Sequence, residues 1–279
     1  MIKAIFFDID GTLLTSQGTV SKKTKEVIQR AQEKGILVGV ATGRGPVDIH
    51  RLLDDLPLDM YITYNGQLVF SQGKIIYARK FEPTILKKIV QYSDDNNRQV
   101  MFGGVNQVAG SRIIRLSQSI SGKKLLRFVP KRFPVRMMKK TLQKLSAYQS
   151  DDYYGQMAIL REPIYQCVLL SPVTEAPKLR QALPECDFQR SNPYTVDIVP
   201  KGGSKLNGIY AFLNYHGIDP KEAIAFGDHL NDVEMISGVG IGVAMGNGQV
   251  EAKAAADYVT ASNNQEGIPQ ALKVLEIIC

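Results

Sequence analysis

Blocks of apolar residues separated by helical patterns open the chain and predict strands that alternate with helices. Ile2–Phe7 is almost continuously apolar, which is typical of a strand buried on both faces. Apolar positions then recur at helical spacing between Ser21, a candidate N-cap, and Gly35, a candidate stop. Two further apolar runs follow at Ile36–Ala41 and Met60–Thr63. Strands that alternate with helices in this way predict a parallel sheet covered on both faces.

The same alternation returns in the last third of the chain, whereas the middle follows a different pattern. Short strand-like pieces, helices and an apolar strand at Pro163–Pro172 indicate an α+β segment there. We therefore predict a protein of the α/β class, with a Rossmann-like, doubly wound parallel-sheet core formed by residues 1–81 and 191–279. Residues 82–190 are predicted to form an inserted α+β cap domain. Thr195–Pro200 is assigned to the core in this prediction.

Composition narrows the class of protein. The chain has 279 residues, of which 44% are hydrophobic and 22% charged, as in ordinary globular proteins. No apolar run approaches the roughly 20 residues that a membrane crossing needs. The three cysteines have neither metal-ligand nor C-x-x-C spacing, which indicates reduced thiols. We expect a cytoplasmic protein that does not contact a membrane.

Charge is distributed unevenly along the sequence. The net charge is +7, but residues 96–150 contain twelve Lys or Arg and no Asp or Glu, so the rest of the chain carries −5. This basic segment has three interpretations: an electropositive cap that attracts an anionic substrate, a nucleic-acid-binding surface, or a solvated face. No nucleic-acid motif supports the second, and Pro130 and Pro134 interrupt any continuous basic helix.

Polar residues follow the predicted core strands, at the sheet edge where ligands bind in open parallel sheets. Carboxylates with few neutralising bases suit a hard divalent cation such as Mg²⁺. A hydroxyl, glycine-flanked amides and a lysine suit a phosphate. The residues concerned are Asp8, Asp10, Thr42, Gly43, Arg44, Asn65, Lys205, Asp228, Asn231 and Asp232.

Asp8 and Asp10 are separated by one residue, so their side chains project to the same side if the strand continues. An aspartate at its usual pKa of about 3.9 is ionised at neutral pH and needs no base to act as a nucleophile. A second carboxyl in a partly desolvated site beside it can keep its proton and act as an acid. The pair therefore predicts a nucleophile and a proton donor.

The motifs Asp8–Thr12, Thr42–Arg44, the helix-opening Lys205 and Gly227–Asp232 occur in this order on the predicted elements. Together they resemble the haloacid-dehalogenase superfamily of phosphohydrolases, and the insert resembles the large α/β cap of its Cof-like subfamily. The resemblance covers essentially the whole chain. It implies a Mg²⁺-dependent phosphatase that acts on small phosphorylated metabolites, such as sugar phosphates or phosphorylated cofactors, through an aspartyl-phosphate.

The resemblance also implies a role for each candidate residue. Asp8 is the nucleophile and Asp10 the general acid and base, and Lys205 stabilises the transition state. The metal is held by Asp8, by the carbonyl of Asp10 and by Asp228, while Asp232 orients Lys205 or a metal-bound water. Phosphate binding falls to Thr12, Thr42, Gly43, Lys205 and Asn231, and Arg44 and Asn65 are possible site-lining residues.

Two alternatives stay open at this point. A phosphomutase would use the same core motifs and pass the phosphoryl group to a second hydroxyl. A regulatory or nucleic-acid-binding protein on a phosphatase fold is the alternative from another class, and the basic segment is the feature that supports it. We expect a small-molecule phosphoester as the partner and a monomer or weak homo-oligomer; the sequence does not identify the phosphoester.

Overall fold

The computed structural model describes residues 1–53, 56–111, 114, 154–190 and 192–278. The strands within these ranges are β1 Ala4–Phe7, β2 Leu37–Ala41, β3 Met60–Thr63, β4 Leu68–Ser71, β5 Lys74–Ala78, β6 Val100–Gly103, β7 Val108–Gly110, β8 Gln166–Leu170, β9 Cys186–Gln189, β10 Thr195–Pro200, β11 Ala223–Gly227, β12 Ile241–Ala244 and β13 Tyr258–Val259. The α-helices are α1 Lys22–Glu33, α2 Pro46–Leu53, α3 Pro83–Asp95, α4 Ala176–Ala182, α5 Lys205–His216, α6 Val233–Ser237, α7 Val250–Ala255 and α8 Gly267–Val274. None of the helices in the described ranges has the length and apolar character that a membrane crossing requires.

Two sheets organise these elements. The core sheet has eight strands in the order β13-β12-β11-β1-β2-β3-β4-β5, and the cap sheet has five in the order β7-β6-β8-β10-β9. Strand β1 pairs in parallel with both β11 and β2, so it lies inside the sheet. Its side chains pack against helices on both faces of the sheet. All four of its residues are fully buried, which explains the continuous apolar run in the sequence. The α/β class with a parallel core is confirmed.

Strands β4 and β5 extend the core sheet beyond the predicted parallel strands. They form an antiparallel hairpin that pairs with the edge of β3. The turn is made by Gln72 and Gly73, both with positive φ (50° and 76°), as a two-residue hairpin requires. The core is therefore a mixed sheet with an antiparallel end.

The assignment of Thr195–Pro200 to the core sheet was wrong. The strand at these residues, β10, lies in the cap sheet, antiparallel to β8 and β9. Its apolar pattern fits a buried strand in either sheet, and the pairing partners decide the matter. The proposed domain limits at residues 82 and 190 stay a prediction, although one strand from the 191–279 segment pairs with the cap sheet.

Each sheet has its own packed interior. One face of the cap sheet packs on α3 and α4 through a cluster that includes Ile89, Leu169, Leu179 and Ile198. The core sheet has a separate cluster on each face. Eleven of the twelve basic residues of segment 96–150 lie outside the described residues. Within the described ranges, Cys167 and Cys186 are free buried thiols.

Candidate active site

The carboxyl ends of β1 and β11 lie side by side in the core sheet and bring two aspartates together. Asp8 follows β1, is 6% exposed, and donates its backbone N–H to the carbonyl of Phe226 at 2.9 Å. Asp228 follows β11, the parallel neighbour of β1. The sequence predicted this meeting from the rule that parallel strands present their carboxyl ends at one edge.

Lys205 is the first residue of α5 and lies between two carboxylates. Its Nζ donates to Oδ1 of Asp8 and to Oδ1 of Asp232, each at 2.6 Å. The side chain of Lys205 is 1% exposed, so water does not screen these ion pairs. Burial lowers the pKa of Lys205, but the charges of Asp232 and Asp8 outweigh this effect and leave it raised. The lysine is therefore a permanently charged group beside Asp8.

Asp232 uses both carboxylate oxygens to hold its surroundings. Oδ1 accepts from Lys205, and Oδ2 accepts from the backbone N–H groups of Asp228 and His229, each at 2.9 Å. Asp232 is fully buried. These contacts fix the loop that carries Asp228 and the position of the lysine, which is the contact predicted for Asp232.

Oxygen atoms of Asp8, Asp228 and Asp232 all lie within 4.8 Å of one another. Burial raises the pKa of Asp8 well above its ordinary value; Lys205 opposes this, and neighbouring carboxylates add to it. Burial, followed by the charge of Asp232, raises the pKa of Asp228 to about 6. Carboxylate crowding of this kind is relieved by a bound divalent cation.

The net charge of the site also favours a bound divalent cation. Four carboxylates and two basic side chains meet here, so two negative charges remain uncompensated when all six are ionised. Hard oxygen donors with this excess charge fit a divalent cation. The six side chains are Asp8, Asp10, Asp228, Asp232, Lys205 and Arg44.

Asp10 forms a bidentate ion pair with Arg44. Nε and Nη2 of Arg44 donate to the two carboxylate oxygens of Asp10 at 2.6 and 2.8 Å. The side chain of Arg44 is only 14% exposed, whereas that of Asp10 is 41% exposed. Arg44, predicted as a possible site-lining residue, thus contacts the residue predicted to transfer protons.

Gly11 allows the chain to turn between Asp10 and Thr12. Its φ is +96°, and a Cβ at this position would lie 2.3 Å from Oδ2 of Asp228. Thr12 is 1% exposed and donates its hydroxyl to Oδ1 of Asp228 at 2.9 Å. Thr12 was predicted to bind phosphate; in this structure its hydroxyl orients Asp228.

The remaining predicted phosphate-binding residues surround Asn65. Thr42 is 2% exposed, its carbonyl accepts from the backbone N–H of Asn65 at 2.9 Å, and its hydroxyl accepts from the backbone N–H of Arg44 at 3.2 Å. Asn231 donates its side-chain amide to Oδ1 of Asn65 at 3.2 Å. Asn65 is therefore part of the site and links two of its loops.

Known proteins resemble this chain in sequence. Residues 5–272 match the family of haloacid dehalogenase-like hydrolases. The chain belongs to this family. Bacillus subtilis "Putative phosphatase YkrA" is 30% identical over 276 residues, which cover 99% of this chain and 98% of YkrA. The B. subtilis 5-amino-6-(5-phospho-D-ribitylamino)uracil phosphatase YcsE is 26% identical, with 98% of this chain and 95% of YcsE covered.

A solved structure supports the same assignment of this hydrolase. The sugar phosphatase BT4131, described as subclass IIB of the superfamily, has a TM-score of 0.77 and 27% identity. The match covers 99% of this chain and 100% of that chain. The predicted resemblance to the superfamily, its Cof-like subfamily and its capped Rossmann-like fold is confirmed, and the relatives together support a phosphatase.

The sequence prediction missed two polar residues that the cap sheet brings to the site of this hydrolase. Gln166 of β8 and Asp197 of β10 both contact Asn65. Each interrupts an apolar strand, and a polar residue within a buried strand can indicate a functional position. The sequence does not show which way these side chains face, because that depends on the pairing register of the cap sheet.

Proposed function

We propose that this hydrolase is a phosphatase that cleaves small phosphorylated metabolites and uses Asp8 as its nucleophile. The observation that carries the proposal is the position of the Asp8 carboxylate. It follows a fully buried strand and lies 2.6 Å from the ammonium of Lys205 and within 4.8 Å of an oxygen of Asp228. A nucleophilic carboxylate needs such neighbours, because a phosphoryl group brings negative charge that a lysine and a metal ion can stabilise.

The proposed reaction has two steps. An oxygen of Asp8 bonds to phosphorus while the bond from phosphorus to the ester oxygen breaks, and Asp10 gives its proton to the leaving oxygen. Water then attacks the phosphorus of the aspartyl-phosphate and gives a proton to Asp10, and the bond from phosphorus to Asp8 breaks. The products are an alcohol and inorganic phosphate, and both aspartates return to their starting forms.

Two sets of residues support these steps. Lys205, Thr42, the amide of Gly43 and Asn231 would hold the phosphoryl oxygens. The side chains of Asp8 and Asp228 and the carbonyl of Asp10 would hold the divalent cation, which we propose to be Mg²⁺. When bound, such a cation neutralises charge on the carboxylates and on the phosphoryl group.

The ion pair of Asp10 with Arg44 affects the order of events. Both oxygens of Asp10 accept from Arg44, an arrangement that favours the ionised carboxylate. Asp10 therefore has to separate from Arg44 and acquire a proton before it can protonate a leaving group. A phosphoryl group that enters beside Arg44 offers the guanidinium another bidentate anion and would release Asp10.

The substrate class comes from the relatives. YcsE is named for a phosphorylated ribitylaminouracil and BT4131 for sugar phosphates. We propose that this chain acts on phosphoesters of similar size, either sugar phosphates or phosphorylated cofactors. A cytoplasmic location and a monomeric or weakly oligomeric state stay predictions from the sequence.

The test is turnover of p-nitrophenyl phosphate and a panel of phosphorylated metabolites, with Mg²⁺ and with a chelator. The wild type should turn over at least one of them only with a divalent cation, and Asp8→Asn should lose about 10³-fold or more in kcat, because the amide cannot form the aspartyl-phosphate. Asp219→Asn is a suitable control, since asparagine also caps the turn that the exposed Asp219 begins. Near-normal activity of Asp8→Asn would show that another group is the nucleophile.

A further inference from the structure

A buried polar cluster joins the cap sheet to the site. Nδ2 of Asn65 donates to Oε1 of Gln166 at 3.0 Å and to Oδ2 of Asp197 at 3.3 Å. Nε2 of Gln166 donates to the carbonyl of Gly43 at 3.0 Å. Asn65 is fully buried and Gln166 is 4% exposed, so these bonds form away from water. We call the set Gly43, Asn65, Gln166 and Asp197 the latch.

The pairing register of the cap strands determines which face of the cap sheet carries Gln166 and Asp197. Asp197 pairs with Val168, and Gln166 lies two residues before Val168 on the same strand. Opposed residues in an antiparallel pair share a face, as do residues two apart, so Gln166 and Asp197 lie on one face of the sheet. The alternate residues face the apolar interior of the cap sheet; these are Cys167, Leu169, Val196 and Ile198.

Asn65 contacts the site and the cap sheet at the same time. Its Oδ1 accepts from Asn231, while its Nδ2 donates to the cap residues. Its backbone N–H donates to the carbonyl of Thr42. In a trans peptide the C=O and N–H point in opposite directions, so a fixed Thr42 carbonyl directs the N–H of Gly43 away from Asn65. Asn65 thereby orients two groups proposed to bind phosphate.

Gln166 fixes the next peptide of the same loop, because it holds the carbonyl of Gly43. Tyr64 adds two further contacts to this region. Its hydroxyl donates to the carbonyl of Gly104 at 2.9 Å, and its ring stacks on that of Tyr165 with centroids 6.3 Å apart. Tyr64 and Asn65 both have φ of 52°, a left-handed conformation that tertiary contacts have to maintain.

We propose that Asn65 and Gln166 are positioning residues that orient the Gly43 loop and Asn231 for the phosphoryl group only while the cap sheet is docked. The proposal rests on the proposed function of the site. Neither side chain reacts. When either contact is lost, docking of the cap sheet no longer orients the phosphate-binding groups, and the site is then incomplete.

Kinetics of Asn65→Gly, Gln166→Ala and the double variant test the coupling. Glycine tolerates a positive φ and lacks the amide of Asn65, whereas aspartate would bury a carboxylate against that of Asp197. Each single variant should lower kcat by about tenfold or more, because each breaks the buried Asn65–Gln166 hydrogen bond, and should change KM about twofold or less. The double variant should lose clearly less than the product of the two single losses, because both variants break that shared bond. Gln107→Ala is the matched control, since the side chain of Gln107 is exposed and donates to Glu162, and the variant should leave kcat unchanged.

Hydrogen exchange gives a second measurement that does not depend on turnover. The N–H groups of Tyr64 and Asn65 donate to the carbonyls of Arg44 and Thr42. Peptides covering residues 62–66 should exchange faster in Gln166→Ala than in wild type and in Gln107→Ala. If Gln166→Ala does not fold, Gln166→Met keeps the approximate size of the side chain and removes both its donor and its acceptor, and the same results are expected.

The outcomes separate this proposal from the proposed function. Unchanged exchange at residues 62–66, or a kcat of both single variants within about twofold of wild type, would overturn the latch. Additive losses in the double variant would also overturn it. Absence of turnover in the wild type would refute the phosphatase proposal, and the exchange measurement would still decide whether Gln166 orders the site.

Discussion

Replacement of Lys205 by methionine tests the electrostatic core of the site. Methionine keeps most of the volume and the unbranched shape of lysine but carries no charge. The change removes two hydrogen-bonded ion pairs at once, because Nζ of Lys205 contacts Asp8 and Asp232 at 2.6 Å each. Both carboxylates would then be buried without their cation.

The loss of unfolding free energy in Lys205→Met can be estimated from the geometry of the two ion pairs. At 2.6 Å and an effective dielectric constant of about 20, each ion pair contributes about 6 kcal/mol of Coulomb energy. Desolvation of the 1% exposed ammonium offsets much of this gain. Removing one partner of a buried pair usually costs about 3–5 kcal/mol of unfolding free energy, because the other partner stays buried and charged. We expect a loss in that range at pH 8.

The loss should depend on pH. Burial already raises the pKa of Asp8, and Lys205 opposes that rise. Without the lysine the folded-state pKa increases further above the unfolded value. A group with a raised folded-state pKa favours the folded state at low pH and loses that contribution as the pH rises through the folded-state pKa. The variant should therefore be closer to wild type at pH 5 than at pH 8.

Urea unfolding of the metal-free proteins at both pH values measures these differences. Lys201→Met is the matched control, because Lys201 is exposed and its Nζ donates to the backbone carbonyl of Pro184. The control should change the unfolding free energy by less than about 0.5 kcal/mol. A Lys205→Met protein as stable as wild type at pH 8, or a loss that grows toward pH 5, would refute the argument that the ammonium compensates these carboxylates.

Two further predictions concern the carboxylate cluster and the turn at Gly66. Because the pKa of Asp228 is raised to about 6, the unfolding free energy of the metal-free protein should fall by about 2 kcal/mol between pH 4 and pH 6. Asp228→Asn or saturating Mg²⁺ should weaken this fall, which urea unfolding with a chelator or with Mg²⁺ measures. Gly66→Ala should cost about 2–4 kcal/mol in the same assay, because Gly66 has φ +89° and an added Cβ would lie 1.9 Å from the carbonyl oxygen of Ser204. Gly73→Ala, with φ +76° and no atom within 4 Å of the added Cβ, should cost only about 1 kcal/mol, and equal losses would contradict the packing argument.

The sequence predicted the core of the site because chemistry and fold use the same signals there. A fully buried strand has to be apolar, so a carboxylate directly after it marks the strand end. Asp8 and Asp228 follow β1 and β11, and these strands are parallel neighbours. The contacts of Lys205 with Asp8 and Asp232 could be predicted by the same reasoning, since Lys205 is the first residue of the helix that follows the cap sheet.

The hairpin of β4 and β5 was missed for a local reason. Its turn uses Gln72 with a positive φ, and glutamine lacks the short side chain that makes asparagine and aspartate common at this position. Residues 67–78 therefore do not show the usual turn pattern. The structure holds Gln72 in this conformation through the pairing of the two strands.

An electropositive cap was one of three interpretations of the basic segment, and eleven of its twelve basic residues lie outside the described residues. Arg98 belongs to the twelve basic residues and lies within the described ranges, where it forms an ion pair with Glu175 at 2.6 Å. Asp197 is the charged residue of the cap sheet that contacts Asn65.

Register explains why the latch could not be predicted although both of its cap residues are visible as polar positions in apolar strands. Side chains alternate between the two faces of a sheet, so a shift of β8 or β10 by one residue would turn Gln166 or Asp197 into the apolar interior. A buried glutamine or aspartate without partners costs several kcal/mol, so the observed register is the one in which both polar groups meet Asn65. Contacts across the two sheets thus help to set the pairing within one of them, and such contacts do not appear in the pattern of a single strand.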